Sequence, residues 1–135
     1  MILVDTSAWV EYDRATGSPT DQSVTALISA GGTDLAVSEP VLMEVLAGAT
    51  DEQRHSDLRR LLTSFRWIGA DRVADFEGAA KIYRSCRAAG VTPRGLVDCM
   101  IANIAIRTGA RLLTADRDFA AIATIVPLRL ALPAD

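Results

Sequence analysis

Short apolar runs of three or four residues alternate along this chain with longer stretches whose apolar positions recur every three or four residues. The first pattern is that of buried strands, the second that of helices packed on one side. Residues 2–5 read as a short buried strand, and Ser7 is placed to cap a helix through Ala8-Trp9-Val10-Glu11-Tyr12. Gly17-Ser18-Pro19 breaks it. A helix follows from Asp21 to Ala30, with Val24, Leu27 and Ile28 on one face and Gly31-Gly32 as its stop. Leu35-Ala36-Val37 is a second strand. Ser38 as N-cap and Pro40 in the first turn predict a helix from Glu39 to Ala47, closed by Gly48.

Thr50 is the expected cap of the next helix, whose Leu58, Leu61, Leu62 and Phe65 form an i, i+3, i+4, i+7 stripe. Trp67-Ile68 reads as a brief strand. Val73 to Ala89 is a long helix with Val73, Phe76, Ala80 and Tyr83 expected inward and Gly90 as its stop. Pro93-Arg94-Gly95 is a loop, Leu96 to Thr108 a helix ended by Gly109, and Arg111 to Thr114 a strand. Arg117 to Ala121 is a short helix, and Ile125-Val126 with Leu128 to Leu130 a final extended piece. Strands alternating with helices indicate an α/β fold around a parallel sheet.

A length of 135 residues fits a single domain, 1–135, with a substantial core. Half of the residues are apolar, which excludes a disordered chain. No apolar run approaches the roughly 20 residues of a membrane span. The N-terminal apolar run is short and lacks a basic flank, so it reads as a strand and not a signal peptide. Cys86 and Cys99 have no Cys/His company that would hold zinc, and they fit a reducing cytosol, hence a cytoplasmic protein.

Carboxylates interrupt the apolar runs. Asp5 ends Met1-Ile2-Leu3-Val4, and Glu44 lies in Val41-Leu42-Met43-Glu44-Val45-Leu46. Asp98 lies within Leu96-Val97-Asp98-Cys99-Met100-Ile101-Ala102, and Asp116 follows Leu112-Leu113-Thr114-Ala115 with Asp118 two residues on. Ionised carboxylates near a core are costly unless paired or bound to a metal. The first three segments contain no Lys or Arg, so a divalent cation held by oxygens is the natural partner. Taken singly, each acid also has an ordinary role. Asp5 suits a helix cap, Glu44 an exposed helix position, Asp98 the N-terminal end of a helix dipole, and Asp116 and Asp118 a turn.

The net charge of −3 argues at first against a nucleic-acid partner. Without those five acids, 17 acidic residues fall to 12 against 14 bases, a balance of +2 that permits a polyanionic substrate. Thirteen of the bases are Arg, which binds phosphate bidentately. His55 is the single histidine and sits in a polar stretch, so the chemistry is steered to metal-activated water.

The chain resembles the PIN-domain ribonucleases, and in size the VapC toxins of toxin–antitoxin pairs. The resemblance rests on Ile2-Leu3-Val4-Asp5-Thr6-Ser7, on Ser38 followed by Glu44 and Gly48, on Gly95-Leu96-Val97-Asp98-Cys99-Met100-Ile101-Ala102, and on Leu112-Leu113-Thr114-Ala115-Asp116-Arg117-Asp118-Phe119. It spans nearly the whole chain. It assigns the acidic quartet to Asp5, Glu44, Asp98 and Asp116, with Asp118 as a fifth ligand and Thr6, Ser7 and Thr114 as supporting hydroxyls. Asn103, where a small apolar residue is common, and Val97 before the key Asp are departures that remove no ligand. The resemblance implies a three-layer α/β/α sandwich and Mg²⁺- or Mn²⁺-dependent cleavage of RNA to 5′-phosphate and 3′-hydroxyl ends. It also implies a homodimer and a VapB-like antitoxin whose C-terminal segment covers the cleft. Arg94 and Arg117 flank the acids as candidate RNA contacts, with solvated loop positions as the alternative.

Two other readings make different demands. An aspartyl-phosphate enzyme needs a second acid two residues after Asp5, where Ser7 stands, or a phosphate-binding Lys, and Lys81 lies mid-helix. A catalytically silent PIN-like module would be expected to have lost acids that this chain retains.

Overall fold

The computed structural model describes residues 1–132; the last three residues of the expected domain 1–135 lie outside them. The elements are β1 (Ile2–Val4), α1 (Thr6–Asp13), α2 (Pro19–Ser29), β2 (Leu35–Val37), α3 (Glu39–Ala47), α4 (Glu52–Thr63), β3 (Arg66–Trp67), α5 (Ala74–Ala88), α6 (Leu96–Thr108), β4 (Arg111–Leu113) and α7 (Asp118–Ala123). The strands form one parallel sheet in the order β3-β2-β1-β4. Leu3, Val4, Leu35, Ala36, Val37, Leu112 and Leu113 are buried almost completely, as strands covered on both faces must be. The architecture is the three-layer α/β/α sandwich, with α5 packed on α6, and α1 on α2 and α3. No helix of the described residues is long and apolar enough to cross a membrane. Cys86 and Cys99 are free and buried.

The register matters most for the site. Val4 pairs with Leu113, so the residues that follow, Asp5 and Thr114, leave the sheet side by side. The Asp5 amide donates to the Leu113 carbonyl at 3.0 Å, which carries the alignment one residue past the strand. α6 runs from Leu96 to Thr108 and ends on Gly109, whose φ of 72° supplies the left-handed conformation that stops a helix. Its Ile101 and Ile104 are fully buried, each worth about 2 kcal/mol of transfer free energy. The helix is thereby fixed, and Asp98 is held in its first turn.

Several boundaries differ from the expectation. Asp5, not Ser7, caps α1, because its carboxylate accepts the Ser7 amide. Asp51, not Thr50, caps α4 by accepting the Arg54 amide at 2.8 Å. Ser18 caps α2, so that helix begins at Pro19 instead of Asp21. Ser38 holds the N-cap position of α3 but makes no capping bond.

The buried face of α5 is Asp75, Ala79, Ile82 and Cys86. Val73 and Phe76, expected inward, are each 57% exposed, and Ala80 is exposed too. The apolar stripe misleads because an acid, Asp75, occupies the core-facing position. It is neutralised there by Arg107 of α6. Ile125 and Val126 are not extended, since their amides turn back to the Ile122 carbonyl at the end of α7. Leu130 makes a single parallel bridge to Leu112.

Candidate active site

Every acid singled out from sequence lies at the carboxyl ends of the strands or on a helix that starts there, the place where open parallel sheets bind ligands. Asp5 follows β1, and its side chain is nearly enclosed, with 2% of the residue exposed. Its Oδ1 accepts the Ser7 amide, and its Oδ2 accepts the Ser7 hydroxyl at 3.2 Å and the Thr114 hydroxyl. Burial pushes its carboxyl above the usual range. The donors from Thr114 and Ser7 oppose that shift, and Asp116 adds to it.

Ser7 and Thr114 form a small hydroxyl bridge between the ends of β1 and β4. Their oxygens are 3.1 Å apart, and the Ser7 oxygen also accepts the Ala115 amide at 2.9 Å. Thr114 Oγ1 in turn accepts the Asp116 amide at 2.9 Å, and Asp116 Oδ1 accepts the Asp118 amide at 2.9 Å. One chain of hydrogen bonds thus sets the turn that carries Asp116 and Asp118. Glu44, from the middle of α3, is oriented separately: its Oε1 accepts the Thr6 hydroxyl at 2.7 Å.

Asp98, Asp116 and Asp118 each offer a carboxylate oxygen within 4.8 Å of the others, and all three are partly buried. Asp98 is pushed up to about 6. Burial is the largest cause, followed by the negative charges of Asp116, Glu44, Asp5 and Asp118. A carboxylate that feels four others at once belongs to one over-charged site. A cleft of about 410 Å³ brings the parts together, lined by Asp5, Thr6, Ser7, Glu44, Arg94, Gly95, Val97, Asp98, Asp116 and Phe119. An all-oxygen, all-anionic donor set with room for water fits a hard divalent cation and no soft metal.

The PIN domain family matches residues 2–125, nearly the whole chain. This chain belongs to the PIN-domain family. Within it the chain is 48% identical over 131 residues to Ribonuclease VapC11 of Mycobacterium tuberculosis, covering 97% of this chain and 98% of that one. The same figures hold for VapC ribonuclease Mb1587 of Mycobacterium bovis. Among solved structures, VapBC2 from Rickettsia felis, bound to a DNA fragment from its promoter, superposes with a TM-score of 0.76 at 23% identity. The match covers 97% of this chain and 98% of that one.

This PIN domain brings together all but one of the candidate residues. Asp5, Glu44, Asp98, Asp116, Thr6, Ser7 and Arg94 line the cleft. Thr114 and Asp118 touch its lining through the contacts above. Arg117 is exposed at the start of α7 and is not part of the lining. Phe119, buried beneath the acids, and Gly95, ahead of α6, also line the cleft. Both lie inside the motifs quoted from the sequence, but neither carries a chemical group that would have marked it there.

Proposed function

We propose that this chain is a divalent-metal-dependent endoribonuclease that acts as the toxin of a toxin–antitoxin pair. The observation that carries this reading is the convergence of five carboxylates, from positions 5 to 118, on one cleft with no histidine near it. His55 lies on α4, away from the lining. The close VapC relatives are named as ribonucleases, which supports RNA as substrate.

Asp98, Asp116 and Asp118 would hold a Mg²⁺ ion, with Mn²⁺ as its substitute, and Asp5 and Glu44 complete the anionic wall. Held there, a divalent ion would supply Lewis-acid chemistry for phosphodiester hydrolysis, which would leave a 5′-phosphate and a 3′-hydroxyl. Thr114 and Ser7 donate to Asp5, favouring its charged form against the effect of burial, and fix its direction. Thr6 likewise fixes the direction of Glu44, so the ligands need no reorganisation when substrate arrives. The single PIN domain works in the cytoplasm. Its partners are RNA, a second copy of itself and a VapB-like antitoxin; the Rickettsia felis neighbour is itself a VapBC assembly.

The test is cleavage of labelled RNA by the purified protein. Mg²⁺ or Mn²⁺ should support it, EDTA should abolish it, and His55→Ala should leave it unchanged. Full activity in EDTA would refute the metal reading. Expression of the chain alone should arrest growth, and a co-expressed antitoxin should relieve the arrest. A harmless protein that still cuts RNA would be a housekeeping nuclease.

A further inference from the structure

Among the described residues, Arg94 is the one basic side chain lining the catalytic cleft. It stands in the loop between α5 and α6, two positions ahead of the first residue of α6. Its side chain is 80% exposed, yet its Nε lies 3.1 Å from Oδ2 of Asp118. That oxygen is shut off from solvent and has no hydrogen-bond partner, so Arg94 meets it as a charge without the alignment of a hydrogen bond. Asp98, Asp116 and Asp118 each bring one carboxylate oxygen within 4.8 Å of the others. A guanidinium therefore rests against one of the three carboxylates best placed to take a cation, and among the described residues its side chain makes no other ion pair or hydrogen bond.

We infer that Arg94 is a built-in counter-cation of the acid site, which gives up Asp118 when a divalent ion enters and then binds an RNA phosphate at the mouth of the cleft. The inference rests on the ribonuclease reading above for its second half only. A divalent ion and the Arg94 guanidinium repel each other and compete for the single negative charge of Asp118. The ion has several carboxylates to hold it and Arg94 has one, so the ion prevails. The released side chain is long, mostly in solvent and already at the cleft, and its planar fork matches a phosphate. The same residue thus limits the repulsion between the acids before the metal arrives and supplies positive charge for the substrate afterwards.

The two halves are separable by experiment. Titration calorimetry with Mn²⁺ alone, in the absence of RNA, should show Arg94→Gln binding the ion more tightly than wild type. The gain should be about two- to fivefold, the size expected from removing an exposed ion pair. Fluorescence anisotropy with a labelled single-stranded RNA, in Ca²⁺ and with gels confirming intact RNA, should show the reverse. Arg94→Gln should bind RNA more weakly, with the slope of log K against log salt smaller in magnitude by about 0.7, the loss of one phosphate contact on a single strand. Arg94→Lys should keep that slope. Unchanged or weaker Mn²⁺ binding in Arg94→Gln would overturn the counter-cation, and unchanged RNA affinity and salt slope would overturn the phosphate contact. A wild type that binds Mn²⁺ but no RNA would overturn the ribonuclease reading and the phosphate role with it, while the Mn²⁺ comparison would still decide the counter-cation.

Discussion

The hydroxyl of Thr114 donates to Oδ2 of Asp5 across 109 positions of sequence. The bond exists because β1 and β4 are neighbours in the sheet with Val4 opposite Leu113. The same hydroxyl accepts the Asp116 amide, so one oxygen ties two acids from opposite ends of the chain. Thr114→Val should therefore do more than remove a surface hydroxyl. It strips a donor from a buried carboxylate and an acceptor from the turn that follows β4. Metal affinity or cleavage rate should fall roughly 10- to 100-fold, as for other groups that orient metal ligands. Thr114→Ser should retain most of both. Calorimetry with Mn²⁺ beside single-turnover cleavage checks this, and a valine variant with wild-type metal affinity would count against the role.

Asp98 gives a pH dependence with a defined sign. Its folded pKa, about 6, lies above the ordinary carboxylate value of 3.8. Between those values the folded state holds the proton more firmly than the unfolded state. The associated stability is fully present below pH 4 and is lost as pH rises through about 6. For a half-buried group the loss is roughly 1–2 kcal/mol after allowance for solvent screening. Metal-free protein should show this component in thermal melts between pH 5 and pH 7. Asp98→Asn should lack it and should melt higher than wild type at pH 7. If Asp98 served only the helix dipole, the amide would instead lose about 0.3–1 kcal/mol.

Metal should reverse that penalty. A cation that binds only the folded site stabilises by RT ln(1 + [L]/Kd), about 2.7 kcal/mol at a hundredfold excess over Kd. Mg²⁺ should raise the wild-type melting temperature at pH 7 and raise that of Asp98→Asn less. Equal shifts in the two proteins would remove Asp98 from the metal site.

The acids were legible in the sequence for a physical reason. An acid inside an apolar run contradicts its surroundings, and Asp5, Glu44 and Asp98 each stand in such a run without a local base. The parallel sheet was equally plain, because short runs such as Leu35-Ala36-Val37 have no polar face to turn outward. What the sequence did not reveal were the polar contacts made across long separations. Arg117 and Arg94 look alike as basic neighbours of the acids, yet only Arg94 lines the cleft, because the loop before α6 forms part of its wall and the start of α7 does not. The inward face of α5 was misread because the partner of Asp75 sits 32 positions away, on a different helix. Helix caps shifted by a residue or two, as at Asp5 and Asp51, where neighbouring polar residues compete for one role.

The pair that misled the reading of α5 yields the last prediction. Asp75 is fully buried and accepts from Arg107 Nε at 3.0 and 3.1 Å, from Arg107 Nη2 at 2.6 Å, from Asn103 at 2.8 Å and from the Asp71 amide at 2.7 Å. Burial works to raise its pKa, but the bonds from Arg107, Asp71 and Asn103 outweigh it and hold the carboxyl below its ordinary value. The contact of α5 with α6 is close here: a Cβ on Gly78 would come within 2.3 Å of the Asn103 side chain. Arg107→Ala leaves the carboxylate buried without its counter-charge. The cost should be roughly 2–4 kcal/mol, somewhat less than for a fully buried pair because the Arg107 side chain is 35% exposed. Replacing both partners, as in Asp75→Leu with Arg107→Leu, should recover much of that loss, since no charge is then stranded. The sign with pH follows from the lowered carboxyl. In wild type its contribution is present above the unfolded pKa near 4 and is lost as pH falls below it. In Arg107→Ala, burial prevails and protonation relieves the strain, so the gap between the two proteins should narrow from pH 7 to pH 4. Cleavage at low temperature should persist, because Asp98 and Arg107 are nine residues apart on one helix, about 13 Å along its axis. Urea unfolding of the three proteins at both pH values checks each step. An Arg107→Ala protein as stable as wild type at pH 7 would show that the ion pair contributes nothing to holding α5 on α6.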